Sequence, residues 1–213
     1  MKITKKYTVE GAHIVRNCTS ERCSHSIHGH SALIEVCLTS SRLDNAQMVY
    51  DFGLMKGPIG KFIDSMDHTY LLCKNDDPEF IESIKKFSDR YIILPFNPTA
   101  EMLSAFICKS VNKILSLTKM SNGETDVDEL GGPICKSVIY HETATGSTEC
   151  DLDQDKMIFD SIDLRQVEFS PAIVSDWENA GVKQLVDVFR QSEGDDRYFT
   201  FFINPTIEQQ IEL

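Results

Sequence analysis

The chain has 213 residues, a formal net charge of −12 at pH 7 and a hydrophobic fraction of 41%. This length suffices for one generous domain whose core needs no disulfide support. The negative charge argues against nucleic-acid and anionic-membrane partners, because both require basic patches. We therefore expect a small ligand. If it is an anion, the candidate cations are Arg16, Arg22, Lys56 and Lys136.

The cysteine content and the first residues of the chain suggest the cellular compartment of the protein. The seven cysteines are scattered without framework spacing, and no N-terminal apolar run is typical of a signal peptide or a membrane span. We expect a cytoplasmic protein with reduced thiols.

Two strands are predicted near the start of the chain. The odd positions include Ile3, Tyr7, Val9, Gly11 and His13, while the even positions include Lys2, Thr4, Lys6, Thr8 and Glu10. This period of two is typical of a strand with one buried face. After a polar connection at 16–21, apolar residues return at even positions from Ala32 to Leu38 and predict a second strand.

A dense group of metal-ligating side chains immediately precedes the second strand. Cys23–His30 holds one thiol and three imidazoles. His28 and His30 share parity, so both leave one face of the strand, about 7 Å apart. Antiparallel pairing would bring His13 beside them, and three imidazoles with an open position are typical of catalytic zinc. A single histidine is better interpreted as an ordinary core or loop residue, but three unpaired imidazoles buried together would be costly.

The next predicted element is a helix capped by Asp51, with a kink at Gly57-Pro58. Its inward positions are Phe52, Met55, Ile59, Phe62, Ile63 and Met66. The helix ends near Asp67-His68. Local features alone assign this pair to an exposed helix terminus.

A second helical region and a strand complete the first two thirds of the chain. Residues 77–94 predict a short amphipathic helix followed by a β-prone segment. A longer helix begins with Asn97 or Thr99 as its N-cap, and its apolar stripe is core. The segment 135–143 reads as a strand ending in a carboxylate, Glu142.

The remaining segments are less regular. We interpret 121–132 and 149–156 as acidic surface segments. Beyond them the sequence predicts a strand at 157–159, a helix at 171–190 that contains Trp177, and a strand at 197–203. Their apolar content argues against disorder.

Six short motifs together resemble the 6-pyruvoyltetrahydropterin synthase family, which includes the bacterial 6-carboxytetrahydropterin synthases of queuosine biosynthesis. Each motif is weak alone, whereas six in the family's order are specific. Across about residues 1–145 they are Gly11-Ala12-His13, Cys23 with His28-Gly29-His30, Tyr50-Asp51-Phe52, Asp67-His68-Thr69-Tyr70-Leu71, Asn97-Pro98-Thr99-Ala100-Glu101 and His141-Glu142-Thr143.

The resemblance implies an α+β tunnelling fold (T-fold). In this fold an antiparallel sheet carries two helices on one face, and the sheets of several subunits join into a barrel. The implied assembly is a homo-oligomer, a trimer or hexamer, with active sites at subunit interfaces. Residues 1–150 would form the domain, with insertions near 76–95 and 121–132. Residues 151–213 would be a C-terminal extension packed on it.

The resemblance also assigns roles to individual residues. The implied ligands of Zn²⁺ are His13, His28 and His30. The implied catalytic triad is Cys23, Asp67 and His68, with the Cys23 thiolate as the base. Four residues separate Cys23 from His28, against three in the bacterial synthases and five in the mammalian type, so Cys18 and His25 stay open as alternatives.

Substrate and reaction follow from the same resemblance. Glu142, assisted by Thr143, would hold the guanidine-like edge of a pterin, since a carboxylate can accept two parallel hydrogen bonds. The implied reaction converts 7,8-dihydroneopterin triphosphate to 6-carboxy-5,6,7,8-tetrahydropterin, triphosphate and acetaldehyde. One alternative is a 6-pyruvoyltetrahydropterin synthase or dihydropterin aldol-cleavage enzyme of a biopterin or folate route. Another is a silent T-fold protein that binds a pterin or a structural zinc.

Overall fold

A computed structural model of the chain describes residues 1–44, 46–120, 132–190 and 199–201. The predicted surface segment 121–132 therefore lies almost wholly outside the described residues, as does most of the predicted strand 197–203. Within the described ranges, no helix combines the length and the apolar character needed to cross a membrane.

The described strands fall into a large mixed sheet and a two-stranded sheet. In chain order they are β1 (Lys2–His13), β2 (His28–Thr39), β3 (Thr69–Cys73), β4 (Tyr91–Leu94), β5 (Thr118–Met120), β6 (Ile134–His141), β7 (Ser147–Asp151), β8 (Glu168–Phe169) and β9 (Phe199–Phe201). The large sheet has the order β7-β6-β2-β1-β3-β4-β8, while β5 pairs with β9.

The described helices are mostly short. They are α1 (Glu21–His25), α2 (Pro58–Asp64), α3 (Pro78–Phe87), α4 (Ala100–Ser116), α5 (Lys156–Ser161), α6 (Pro171–Asn179) and α7 (Leu185–Val188). Single 3₁₀ turns occupy Leu54–Lys56 and Leu164–Gln166. Thr99 is the N-cap of α4, since its side chain accepts a hydrogen bond from the Met102 N–H.

The predicted pairing of the first two strands is confirmed. β1 and β2 are antiparallel, with His13 opposite His28 and Gly11 opposite His30. The glycine between the two β2 histidines is required by this close approach. A Cβ on Gly29 would lie 2.7 Å from the backbone oxygen of Gly11, well inside van der Waals contact.

The helices α2 and α4 pack on one face of the large sheet, α2 against β1 and α4 against β6 and β7. The even-numbered apolar residues of β2 are buried on that face, and the rings of Phe62 and Phe106 meet there at 5.6 Å between centroids. Five of the six predicted inward positions in 51–66 are buried, but Phe52 is 50% exposed. The prediction for Phe52 is wrong because the helix starts at Pro58, so Phe52 lies in the preceding turn.

The edge of the sheet beyond β1 differs from the wholly antiparallel expectation. β3 is parallel to β1, and β4 is parallel to β3. The connection between β3 and β4 contains α3, as parallel neighbours require a crossover. α3 packs through Phe80, Ile81 and Ile84 against a small cluster that also includes Ala12. Since Ala12 alternates with His13, α3 lies on the sheet face opposite the histidines.

Several predictions for the last third of the chain are corrected. Part of the predicted acidic loop 149–156 belongs to β7, which pairs with β6. The predicted strand 157–159 is instead inside α5, whose first turn is closed by the hydrogen bond from Phe159 N–H to Asp155 O. The predicted helix 171–190 is divided into α6 and α7 near Gly181, which has a left-handed φ of 72°.

The region after residue 150 shares the main core. Trp177 is only 2% exposed, and its ring centroid lies 4.7 Å from that of Phe169. Phe189 in turn meets Phe62 of α2 at 5.7 Å. This packing is continuous with the sheet core, while a domain boundary between 150 and 151 stays a prediction.

We expect Trp177→Ala to lower the free energy of unfolding by about 3–5 kcal/mol, because it leaves a large cavity in this shared core. Met157→Ala is the matched control, since Met157 is 85% exposed on α5 and should change stability by less than about 0.5 kcal/mol. Urea unfolding followed by far-UV circular dichroism measures both. A loss below about 1 kcal/mol for Trp177→Ala would show that the extension is not part of the cooperative core.

Candidate functional site

The register of β1 and β2 gathers three histidines at one end of the hairpin. One ring nitrogen from each of His13, His28 and His30 lies within 4.8 Å of the other two. The ring centroids are 4.6 to 5.2 Å apart. Since the three rings come from adjacent strands, their spacing is fixed by backbone pairing, and the set could hold a metal ion.

Hydrogen bonds orient two of these rings. His13 Nδ1 lies 2.8 Å from Pro98 O, and His28 Nδ1 lies 3.0 Å from Ser26 O. A carbonyl can only accept, so each Nδ1 carries the proton and each Nε2 keeps its lone pair. Metal-binding histidines commonly show this arrangement.

Two ring nitrogens of the cluster have no hydrogen-bond partner in the described part of the chain. Nε2 of His13 and Nε2 of His30 are buried and lack a hydrogen-bond partner among the described residues. Burial, followed by the neighbouring His28, lowers the pKa of His13 to about 4. The ring is therefore neutral at pH 7, which is the state that binds a metal.

A carboxylate lies next to two imidazoles of this cluster. Glu142 directly follows β6, and its Oε1 lies 3.7 Å from His13 Nε2 and 3.8 Å from His30 Nε2. The sequence predicted Glu142 as a substrate anchor but did not place it against the imidazoles. Strand register sets this distance, and single-strand periodicity contains no information about register.

The predicted pair Asp67 and His68 lies at the junction of β1 and β3. His68 Nδ1 is 2.9 Å from Asp67 Oδ2. Both residues bond to the backbone of Glu10, whose N–H donates to Asp67 Oδ1 at 2.7 Å and whose oxygen accepts from the His68 N–H at 2.7 Å. These bonds hold His68 at a φ of 53°, which a residue with a side chain seldom adopts.

The His68 side chain is 75% exposed. It lines a depression together with Glu10, Ala12 and Ser31. Those side chains alternate with His13 and His30 along β1 and β2, so they project from the opposite face of the sheet. His68 therefore lies mainly beside side chains of the face opposite the histidine cluster, and of the three cluster histidines His30 also borders this depression.

Cys23 lies in α1, the short helix between the paired strands, and is half-buried. Its carbonyl accepts a hydrogen bond from the Val15 N–H at 2.9 Å. Of the alternative bases, His25 has its Nδ1 2.8 Å from Ser24 Oγ, and Cys18 donates to Ser20 O. Thr143 is in the β6–β7 turn, where its hydroxyl oxygen accepts from the Gly146 N–H.

Two of the four predicted anion-binding cations are engaged by carboxylates. Arg16 Nε lies 2.6 Å from Asp76 Oδ1. Lys136 Nζ lies 2.8 Å from Asp151 and 2.6 Å from Asp153. Sequence reasoning missed these pairings, because they join residues 60 and at least 15 positions apart with no local spacing signal.

Comparisons with known proteins agree on one family. The family model described as 6-pyruvoyl tetrahydropterin synthase matches residues 2–153. A "6-carboxy-5,6,7,8-tetrahydropterin synthase" of Helicobacter pylori strain J99 is 34% identical over 207 residues, covering 96% of this chain and 98% of the relative. A protein of the same name from Aquifex aeolicus is 30% identical over 142 residues, covering 65% and 82%.

Structural similarity supports the same fold. A solved structure of an uncharacterized protein from Wolinella succinogenes aligns with a TM-score of 0.54 at 18% identity, covering 71% of this chain and 97% of that one. The Helicobacter match spans the region after residue 150 as well, so this region has a counterpart in that relative. The chain has the predicted α+β tunnelling fold, and it belongs to the 6-pyruvoyl tetrahydropterin synthase family.

Proposed function

We propose that this protein is a zinc-dependent carbon-oxygen lyase. It converts 7,8-dihydroneopterin triphosphate and one water molecule to 6-carboxy-5,6,7,8-tetrahydropterin, triphosphate and acetaldehyde, in the cytoplasmic route to queuosine. The observation that carries the proposal is the set of three converging imidazoles on β1 and β2. The names of the Helicobacter and Aquifex relatives support the carboxylated product.

The donor set fits zinc. Two neutral imidazoles with protonated Nδ1 and a third ring with an unpartnered buried Nε2 are suitable nitrogen ligands. When bound, zinc supplies Lewis acidity toward the side-chain oxygens of the substrate, which acidifies the neighbouring C–H. Glu142 can accept two hydrogen bonds from the guanidine-like edge of a pterin, with Thr143 beside it.

Proton transfer is assigned to Cys23, His68 and Asp67. The Cys23 thiolate would remove the proton from carbon, and the His68 imidazole would move protons among the side-chain oxygens. Burial raises the pKa of Asp67, but hydrogen bonds from the Glu10 N–H and from His68 lower it more, so the carboxyl stays ionised. An ionised Asp67 accepts a hydrogen bond from His68 Nδ1 and so orients the ring.

The position of Asp67 and His68 supports a site shared between subunits. His68 lies mainly beside side chains of the sheet face opposite the cluster of its own chain, so the pair can serve the cluster of a neighbouring copy. We propose a homo-oligomer, a trimer or hexamer, in which the sheets join and one copy supplies Cys23 and the histidines while another supplies the pair.

Incubation with 7,8-dihydroneopterin triphosphate tests the reaction directly. We expect mass spectrometry to detect a carboxylated tetrahydropterin, with acetaldehyde and triphosphate in equal amounts. His28→Ala should abolish both bound zinc and turnover, whereas His25→Ala, outside the cluster, should keep bound zinc. A pyruvoyl product would assign the other branch of the family, and unchanged turnover in zinc-free protein would refute the metal assignment.

Stability should depend on pH through His13. The pKa of His13 in the folded chain, about 4, lies below its ordinary value of 6.5. Between these two pH values His13 binds a proton in the unfolded chain but not in the folded chain. The zinc-free protein should keep its full stability above pH 6.5 and lose about 3 kcal/mol from this group on acidification to pH 4. Urea unfolding of wild type and His13→Gln at both pH values isolates the effect. Equal losses in the two proteins would contradict it.

Mixed oligomers test the shared site. Cys23→Ala and His68→Ala should each be inactive alone. When the two variants are co-assembled at random in equal amounts, about a quarter of the shared sites contain both intact groups. About a quarter of wild-type activity should therefore return. Co-assembly of Cys23→Ala with Cys23→Ser is the control and should stay inactive. No recovery in the first mixture would place both groups in one chain's site.

A further inference from the structure

Arg16 connects three separate parts of the chain just after β1. Its Nε pairs with Asp76 Oδ1 at 2.6 Å, and its Nη1 donates to Ser24 O at 3.2 Å. Its backbone N–H and oxygen both bond to the Asn97 side chain, at 2.9 and 2.7 Å. The guanidinium also lies over the Phe80 ring, 5.5 Å from its centroid. The planar guanidinium of an arginine, with several hydrogen-bond donors, suits such a junction better than the ammonium group of a lysine.

Asp76 is held in place independently of Arg16. It follows β3 and its side chain is only 3% exposed. Its second oxygen accepts a hydrogen bond from the Cys73 N–H at 3.1 Å. The carboxylate therefore fixes the arginine relative to β3, and removing Arg16 would leave a buried carboxylate without its ion-pair partner.

The helix that receives the Arg16 bond cannot position itself. α1 has five residues and no side-chain N-cap hydrogen bond, and a single helical turn is not stable alone. Two hydrogen bonds tie it to the segment after His13, from Val15 N–H to Cys23 O and from Arg16 Nη1 to Ser24 O. The backbone at Cys23 and Ser24 is therefore anchored to residues 15 and 16.

We propose that Arg16, locked by Asp76, is a positioning residue that holds the turn carrying Cys23 against the segment that follows β1. This inference rests on the proposed function for its catalytic consequence. Its structural content concerns only where the thiol lies, so it can be tested apart from turnover.

The test measures Cys23 directly in the full-length protein. Cys18 and Cys23 are half-buried and the other five cysteines are buried, so iodoacetamide should reach these two first. Trypsin cleaves after Arg22, which puts the two thiols on separate peptides for mass spectrometry. In Arg16→Gln we expect alkylation of Cys23 to accelerate at least threefold, while Cys18 stays within about twofold of wild type and bound zinc is unchanged.

Turnover gives the second readout. We expect kcat of Arg16→Gln to fall at least about tenfold with KM within about twofold, because small displacements of a reacting group are costly. Arg16→Lys should be intermediate, and it replaces Arg16→Gln in both readouts if that variant does not fold. The matched control is Arg165→Gln, which removes a similar arginine–aspartate pair remote from the cluster and should change neither readout.

Three results would overturn the assignment. They are an unchanged Cys23 alkylation rate in Arg16→Gln, equal acceleration at both thiols, or an unchanged kcat in an active protein. If wild type shows no lyase activity, the proposed reaction fails while the alkylation rates still decide whether Arg16 positions the thiol.

Discussion

The pairing of β1 with β2 is the constraint on which the candidate site depends. His13 and His28 are directly opposite each other, and His30 is opposite Gly11. A slip of one residue would send the β2 histidines to the other face and separate them from His13. Gly29 permits the close approach that this register needs, since a Cβ there would collide with Gly11 O. Buried apolar residues farther along β2 hold the register, so the core fixes the spacing of the imidazoles.

β3 relates the remaining functional groups to that hairpin. The Asp67–His68 pair precedes it and is bonded to β1 at Glu10. Asp76 follows it and holds Arg16, which is bonded to the turn that carries Cys23. One short, fully buried strand thus sets the position of a predicted acid-base pair at one end and of a predicted base at the other.

Sequence periodicity predicted the strands and helices that have one clearly buried face. β1, β2 and α4 follow their patterns because burial of that face dominates their energetics. The incorrect or missing predictions concern residues whose structure depends on other segments of the chain. Phe52 follows the helical pattern but precedes the helix, and 157–159 is β-prone without a strand to pair with. The parallel pairing of β3, the approach of Glu142 to His13 and the Arg16–Asp76 pair depend on contacts between distant segments, which a pattern along one segment cannot encode.

The extension after residue 150 also contacts the candidate site's supporting structure. Asp176 of α6 forms an ion pair with Arg90, the residue before β4. Arg90 in turn donates to the carbonyl oxygen of Asp67 at 3.1 Å. Trp177 and Phe189 pack toward α2, the helix that leads into Asp67. The backbone of the Asp67–His68 turn is thus held by β1 on one side and by the extension, through Arg90, on the other. Because His68 has a left-handed φ, this turn needs such external bonds to persist, and the extension supplies part of them.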